Sequence, residues 1–213
     1  MSMKEVMKDI MAQAAEKKIV PVVKLDRASD AKPLADALIE GGLPVAEVTF
    51  RTDAAEESIR QMAKIPGMLV GAGTVTNLDQ AQRAIDAGAS FIVTPGFSPK
   101  VTEFAADRKM PIFPGVSTPT ELMMALEFEL PVVKFFPAEQ YGGLSTIKAL
   151  AGPFPSIQFM PTGGINAKNI LDYLSFKKII ACGGSWMVKD TYINEGNFAE
   201  IVKLTREAVE LVK

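Results

Sequence analysis

Short apolar runs alternate with amphipathic segments along most of the chain. Eight runs rich in β-branched and aromatic residues recur at intervals of roughly 20 to 25 residues. Near-continuous apolar strands are typical of a parallel sheet that is buried on both faces. The predicted strands cover residues 19–24, 45–50, 69–74, 91–96, 110–116, 132–137, 158–164 and 179–185.

A segment with helical periodicity and a polar face follows each predicted strand. Eight strand–helix units predict an α/β fold, in which the parallel strands close into a (β/α)8 TIM barrel covered by helices. Several helices follow a residue suited to capping an N-terminus, namely Asp30, Asp53, Asn77, Ser98 and Asn166. The predicted helices cover residues 31–40, 54–64, 78–87, 100–107, 120–128, 144–150, 167–174 and 198–212.

One more helix is predicted before the first strand. Apolar residues from Met3 to Ala14 follow helical spacing, and we expect this N-terminal helix to cover the lower mouth of the barrel.

An open doubly wound sheet would carry a glycine-rich turn after its first strand, whereas residues 24–27 read KLDR. No linker or composition shift divides the chain, so the sequence predicts one barrel domain over residues 1–213.

The amino-acid composition limits the kinds of partner that the protein is expected to bind. A net charge of -2 without a basic run argues against nucleic acid, so we expect a small-molecule substrate. Cys182 is the only cysteine, which excludes an internal disulfide. Because no apolar stretch is long enough for a signal peptide or a membrane span, the sequence predicts a cytoplasmic protein without membrane contact.

The chain contains no histidine. Histidine is the commonest ligand of catalytic zinc and the usual general base near neutral pH. We therefore expect no metal site, and we assign any acid–base chemistry to carboxylates, lysines or phenols.

Glu47 is the first candidate catalytic residue. Side chains alternate along a strand, so Glu47, Thr49 and Arg51 share one face and apolar residues occupy the other. The apolar face belongs under the helices, which turns the polar face into the barrel, near the strand ends where active sites of this fold form. A carboxylate inside a barrel is costly unless it is paired or used. The alternative is an internal ion pair between Glu47 and Arg51.

Lys134 lies within the apolar run of the sixth predicted strand. Lysines are rarely buried unless they are paired or functional, and burial favours the neutral amine that attacks a ketone. Lys134 is therefore a candidate for imine formation. In the alternative interpretation its ammonium group pairs with Glu47, and the two interpretations are compatible.

Small residues end several of the other strands. Glycine-rich loops after the last two barrel strands often bind phosphate through backbone N–H groups, and two occur here at residues 162–166 (TGGIN) and 183–185 (GGS). Residues 71–74 (GAGT) and 94–96 (TPG) leave room for a ligand, although each alone also fits an ordinary turn. The candidates from these four segments are Thr74, Pro95, Thr162, Gly163, Gly164, Gly184 and Ser185.

Five segments in order resemble the signature segments of the 2-keto-3-deoxy-6-phosphogluconate (KDPG) aldolases, a family that includes 4-hydroxy-2-oxoglutarate (KHG) aldolases. They are residues 47–52 (EVTFRT), 71–75 (GAGTV), 114–118 (PGVST), 134–139 (KFFPAE) and 161–165 (PTGGI). The resemblance spans nearly the whole chain. It implies a trimeric class I aldolase that needs no cofactor and splits KDPG into pyruvate and glyceraldehyde 3-phosphate.

The resemblance also implies roles for single residues. Lys134 would form the Schiff base and Glu47 would carry protons. The remaining residues would bind substrate: Arg51 and Thr74 at the pyruvate carboxylate, Phe136 against the intermediate, and Gly163, Gly164, Gly184 and Ser185 at the phosphate. Many relatives place a phosphate-binding arginine at the end of the first strand. Lys24 stands there in this chain and lacks the bidentate fork of a guanidinium group.

Three other functions remain open from the sequence. The first is a related aldolase with another substrate, either the phosphogalactonate isomer of KDPG or KHG, which would be split into pyruvate and glyoxylate. The second is a sugar-phosphate isomerase or epimerase, which could share the phosphate loops but does not need Lys134. The third is a barrel that binds a phosphorylated ligand without catalysis, although such a protein has little reason to bury Lys134 and Glu47.

Overall fold

The computed structural model describes residues 3–213, in which apolar strands form a barrel wall and amphipathic helices cover it. The strands are β1 (Ile19–Val23), β2 (Val45–Thr49), β3 (Leu69–Gly73), β4 (Phe91–Val93), β5 (Ile112–Phe113), β6 (Gly115–Val116), β7 (Val132–Phe135), β8 (Gln158–Pro161) and β9 (Cys182–Gly184). The helices are α1 (Met3–Lys17), α2 (Ala31–Glu40), α3 (Ala55–Met62), α4 (Leu78–Asp86), α5 (Pro99–Asp107), α6 (Pro119–Glu127), α7 (Gly143–Ala151), α8 (Ile170–Leu174), α9 (Asp190–Asn194) and α10 (Phe198–Leu211). Short 3-10 helices cover Ala28–Asp30 and Glu139–Tyr141.

The strands pair in parallel as two arcs, β5-β4-β3-β2-β1-β9 and β6-β7-β8. A parallel bridge between Thr162 and Gly183 connects β8 with β9. The other junction is the predicted fifth strand, which Pro114 divides into β5 and β6 because proline has no N–H for the ladder. The eight predicted strand positions therefore follow one another around a barrel, and the predicted fold class is confirmed.

Strand ends differ from the predicted ones in a way that matters for the site. Strand β4 ends at Val93 and β8 at Pro161, before the threonine and glycine residues that were assigned to these two strands. Beyond these ends the chain passes into loops, after one further bridge between Thr162 and Gly183. The loops at the carboxyl ends of the strands are the place where barrel enzymes bind substrate.

The helix starts were predicted only in part. Asn77 and Ser98 accept hydrogen bonds from backbone N–H groups and cap α4 and α5 as expected. The caps assigned to Asp30, Asp53 and Asn166 were wrong. The carboxylate of Asp30 binds Arg27, and α3 and α8 begin one and three residues after the predicted starts, so Asp53 and Asn166 fall outside the cap positions.

Helix α1 confirms the predicted N-terminal helix and ends two residues before β1. Its residues Met7, Ile10 and Ala14 are buried. Ala15 shares a groove with Ile179 and Ile180, which precede β9, so α1 ends at the amino-terminal side of the strands, as expected. No helix in residues 3–213 is long and apolar enough to cross a bilayer.

The hydrophobic core continues from α1 to the last helix. It includes Met7 near one end of the described chain and Val212 near the other. All five residues of β2 are buried, including Glu47 and Thr49. This continuous core supports the single domain that we expect from the sequence.

Cys182 lies fully buried in β9, and burial raises the pKa of its thiol from 9.0 to about 12. Only the thiolate attacks alkylating reagents. We therefore expect iodoacetamide at pH 8 to label Cys182 at least about 10²-fold more slowly in the native protein than in guanidinium chloride. Intact-protein mass spectrometry over time measures both rates, and equal rates would show that the thiol is accessible in the native state.

Candidate active site

Strands β2 and β7 bring Glu47 and Lys134 into direct contact. Nζ of Lys134 donates a hydrogen bond to Oε1 of Glu47 at 3.1 Å, and the two side chains are only 6% and 1% exposed. Oε2 of Glu47 is also buried and has no hydrogen-bond partner within residues 3–213. The arrangement holds an amine against a carboxylate whose second oxygen keeps its capacity to accept a hydrogen bond.

Glycine makes this contact possible on the neighbouring strand. Gly73 ends β3 beside Thr49, and a Cβ atom at Gly73 would collide with the carboxylate of Glu47. The GAGT segment therefore provides space for the buried acid as well as a turn. Its signal in the sequence was ambiguous because tight turns select glycine for a different reason.

A cavity of about 400 Å³ opens above this pair. Ten residues that were predicted to form the site line it: Arg51, Thr74, Pro95, Lys134, Phe136, Thr162, Gly163, Gly164, Gly184 and Ser185. Glu47 does not line the cavity but reaches it through Lys134.

Three lining residues were missed, namely Val22, Ile165 and Gly183. Val22 belongs to an apolar strand, and sequence alone does not show which face of such a strand points inward. Ile165 and Gly183 each adjoin a predicted glycine. Both lie inside the predicted segments 162–166 and 183–185, although neither was named as a candidate residue.

Arg51 and Thr74 meet at one side of the cavity. Nε of Arg51 lies 3.4 Å from Oγ1 of Thr74. Thr74 adopts a φ of 55°, a left-handed conformation that is costly for a β-branched residue. Such strain persists where the surroundings impose it, often at binding sites. A guanidinium and a hydroxyl side by side form a donor set that suits a carboxylate.

Phe136 forms a wall beside the amine. Its ring centroid lies 5.1 Å from Nζ of Lys134. An aromatic face at this distance restricts the directions from which a carbonyl compound can reach the nitrogen. It also provides an apolar surface for a flat, conjugated intermediate.

The loop after β8 has the geometry of an anion site. Gly163 and Gly164 have φ values of 103° and 78°, in the region that glycine adopts most readily. The carbonyls of Thr162 and Gly163 accept hydrogen bonds from the N–H groups of Ala138 and Glu139, at 2.8 and 3.1 Å. Because N–H and C=O point in opposite directions across a trans peptide, the N–H groups of Gly163 and Gly164 face away from these partners. Successive N–H groups of this kind bind anions.

Lys24 stands apart from these loops. Its Nζ lies 3.1 Å from Asp26 and 3.3 Å from Asp190, and these carboxylates raise the pKa of Lys24 above its ordinary value. Lys24 is not among the residues that line the cavity. The structure therefore assembles the predicted site except for this lysine.

Similar proteins share both sequence and fold with this chain. The family model for KDPG and KHG aldolase matches residues 10–204. The 2-dehydro-3-deoxy-phosphogluconate aldolase of Haemophilus influenzae is 48% identical, over 96% of this chain and 97% of that protein.

Solved structures agree with this relationship. The 2-keto-3-deoxy-6-phosphogluconate aldolase of Zymomonas mobilis ZM4 with 3-phosphoglycerate superposes with a TM-score of 0.91 at 39% identity, over 96% of this chain and 97% of that chain. The KDPG aldolase of Legionella pneumophila, with pyruvate captured as a covalent carbinolamine, gives 0.89 at 37% identity, over 93% and 97%. The chain belongs to the KDPG and KHG aldolase family.

Proposed function

We propose that the protein is a class I aldolase that cleaves KDPG to pyruvate and glyceraldehyde 3-phosphate through a Schiff base on Lys134. The observation that carries this proposal is the buried contact between Lys134 and Glu47 at a cavity that also exposes a glycine loop suited to phosphate. A carbon–carbon lyase of this class needs an amine, a residue that transfers protons, and groups that bind the substrate. The family relationship supports the same activity.

The pair accounts for the steps of the reaction. Lys134 passes a proton to Glu47, and its neutral amine attacks the C2 ketone. Glu47 returns the proton to the hydroxyl of the resulting carbinolamine, which leaves as water to give an iminium ion. Glu47, directly or through a water, removes the proton of the C4 hydroxyl as the C3–C4 bond breaks. Glyceraldehyde 3-phosphate leaves, and the bond electrons form an enamine of pyruvate. Glu47 returns the proton to C3 of the enamine, and hydrolysis releases pyruvate.

We assign different cavity residues to different parts of the substrate. Arg51 and Thr74 hold the carboxylate of the pyruvate half, and Phe136 packs against the intermediate. The phosphate contacts the loops after β8 and β9 through Gly163, Gly164, Gly184 and Ser185. Pro95 and Thr162 line the cavity between these ends and confine the middle of the substrate.

Sodium borohydride with pyruvate tests the proposed chemistry. We expect reduction to leave one stable adduct on Lys134, which peptide mass spectrometry locates. A sugar-phosphate isomerase or epimerase would keep its activity after this treatment. A barrel that only binds its ligand would give calorimetric binding without release of pyruvate.

Turnover of three substrates tests the specificity. We expect kcat/KM for KDPG to exceed that for the unphosphorylated KHG by about 10²-fold, because hydrogen bonds to a charged phosphate are among the strong ones. The phosphogalactonate isomer differs from KDPG at one stereocentre and is the third substrate. The highest kcat/KM on KHG or on the isomer would reassign the natural substrate.

Lys24 remains a predicted phosphate ligand, and its replacement tests that role. Two carboxylates already hold its ammonium group, so we expect Lys24→Ala to lower kcat/KM for KDPG by less than about threefold, the scale of an exposed ion pair. Lys32→Ala is a matched control, because Lys32 also pairs with an aspartate but on the outer helix α2. A loss above tenfold at Lys24 alone would place this lysine on the phosphate.

We also propose that the protein assembles as a homotrimer, as the family resemblance implies. Met123 and Leu126 of α6 are large apolar side chains exposed on the single chain, which supports an interface that would cover them. Light scattering coupled to gel filtration measures the native mass. A monomeric mass at micromolar concentration would contradict the proposal. A cytoplasmic location likewise stays a prediction.

A further inference from the structure

A buried tyrosine and an exposed glutamate form a hydrogen-bonded pair behind the glycine loop and outside the cavity. The hydroxyl of Tyr173 in α8 donates a hydrogen bond to Oε1 of Glu139, which follows β7. Tyr173 is 2% exposed. Neither residue lines the cavity, and the reaction described above uses neither of them.

Both the backbone and the side chain of Glu139 contact the glycine loop at Gly163 and Gly164. Its N–H donates to the carbonyl of Gly163 at 3.1 Å. Its Cβ and Cγ atoms lie against Gly164, so closely that a Cβ on that glycine would collide with them. The side chain therefore covers the outer side of the loop, and Tyr173 determines where its carboxylate points.

Two asparagine side chains fix the carbonyl group of Gly164. The carbonyl of Gly164 accepts hydrogen bonds from Nδ2 of Asn166 at 3.0 Å and from Nδ2 of Asn169 at 3.1 Å. Asn169 lies four residues before Tyr173, directly before α8. Helix α8 and the residue before it thus contact the glycine loop at two places, directly through Asn169 and indirectly through Tyr173 and Glu139.

Two consecutive glycines need such support. Glycine has more backbone freedom to lose than any other residue, and both glycines here adopt positive φ. Rotation of either peptide plane would turn an N–H away from the cavity and present a carbonyl to the phosphate. Interactions that hold these peptide planes therefore affect phosphate binding more strongly than they affect the chemistry at Lys134.

We propose that Glu139 and Tyr173 are positioning residues that keep the Gly163–Gly164 loop in its anion-binding conformation. The inference rests on the proposed function, because it assigns the pair to the phosphate end of that same substrate. Burial and the carboxylate of Glu139 raise the pKa of Tyr173, so its hydroxyl remains a donor through the neutral and mildly alkaline range. The pair is thus maintained at any pH at which the reaction is measured.

Tyr173→Phe tests the inference by removing one oxygen atom. We expect KM for KDPG to rise about fivefold to tenfold, the scale of one hydrogen bond, with kcat changed by less than twofold. Cleavage of KHG and the rate of pyruvate imine formation should stay within twofold, because neither involves a phosphate. Tyr141→Phe is the matched control, since it removes an exposed hydroxyl from the 3-10 helix that contains Glu139.

Glu139 provides an independent pair of variants. Glu139→Gln keeps an acceptor for Tyr173 and the carbon atoms that cover Gly164, so we expect KM for KDPG within threefold of the wild-type value. Glu139→Ala loses the acceptor and the Cγ atom, so we expect a KM for KDPG at least as high as that of Tyr173→Phe. The Tyr173→Phe/Glu139→Ala double variant should be no worse than Glu139→Ala alone, because that change already removes the hydrogen bond of Tyr173.

Two results would overturn the inference. One is an equal loss on KDPG and KHG in Tyr173→Phe, which would indicate a general structural role. The other is a KM for KDPG that improves in both Glu139 variants, which would show that the carboxylate repels the phosphate. Failure of the proposed function is distinguishable from both, because the wild-type protein would then form no adduct with pyruvate and borohydride.

Discussion

Lys134→Met is expected to lower kcat on KDPG by at least about 10³-fold, the effect typical of removing a covalent nucleophile. Methionine has a similar length but cannot form an imine, so the iminium ion that accepts the electrons of the C3–C4 bond is not made. A coupled assay of pyruvate release measures the rate. Borohydride and pyruvate should leave the variant at its unmodified mass, whereas the wild-type chain gains one adduct. An adduct on the variant would place the reactive lysine elsewhere.

A stability measurement separates lost chemistry from lost folding. Removal of Lys134 leaves the buried carboxylate of Glu47 without its cation, and breaking one side of such a pair costs about 3–5 kcal/mol of unfolding free energy. We expect Lys134→Met/Glu47→Gln to recover much of this loss, because no charge then remains buried. The double variant should be folded and inactive, and urea unfolding followed by circular dichroism checks the first of these properties.

Glu47→Gln is expected to lower kcat on KDPG by about 10²-fold or more, the usual contribution of a positioned general base. The amide fits the same space but does not remove the proton of the C4 hydroxyl. Imine formation should persist, since Lys134 is unchanged. Borohydride trapping should therefore still label the variant with pyruvate although cleavage is slow.

Proton exchange provides a second measurement of Glu47. Exchange of the pyruvate methyl hydrogens in heavy water proceeds through the enamine, so NMR should show it slowed in Glu47→Gln. Glu56→Gln is the matched control, because Glu56 is also a paired and partly buried carboxylate but binds Arg60 and Arg83 on the outer helices. Exchange at the wild-type rate in Glu47→Gln would assign proton transfer to another group.

The periodicity of apolar residues predicted the barrel well because periodicity reports burial directly. A parallel strand covered on both faces has to be apolar along its length, and an outer helix has to be apolar on one side. Element ends were less predictable. The β8 run continues into Thr162, Gly163 and Gly164 with no break in sequence character, yet β8 ends at Pro161 and is followed by one isolated bridge from Thr162 to Gly183. Whether a small residue continues a strand depends on the neighbouring strand, which lies elsewhere in the sequence.

The sequence by itself determined the succession of eight strand–helix units, the burial of Glu47 and Lys134, and the glycine loops at the strand ends. Only the tertiary structure decided which polar groups meet. Lys134 and Glu47 are 87 positions apart, Lys24 and Asp190 are 166 apart, and Tyr173 and Glu139 are 34 apart. A residue pattern shows that a charge needs a partner, because desolvation is a local cost. The identity of the partner follows from closure of the barrel, which brings distant strand ends and loops together at one face.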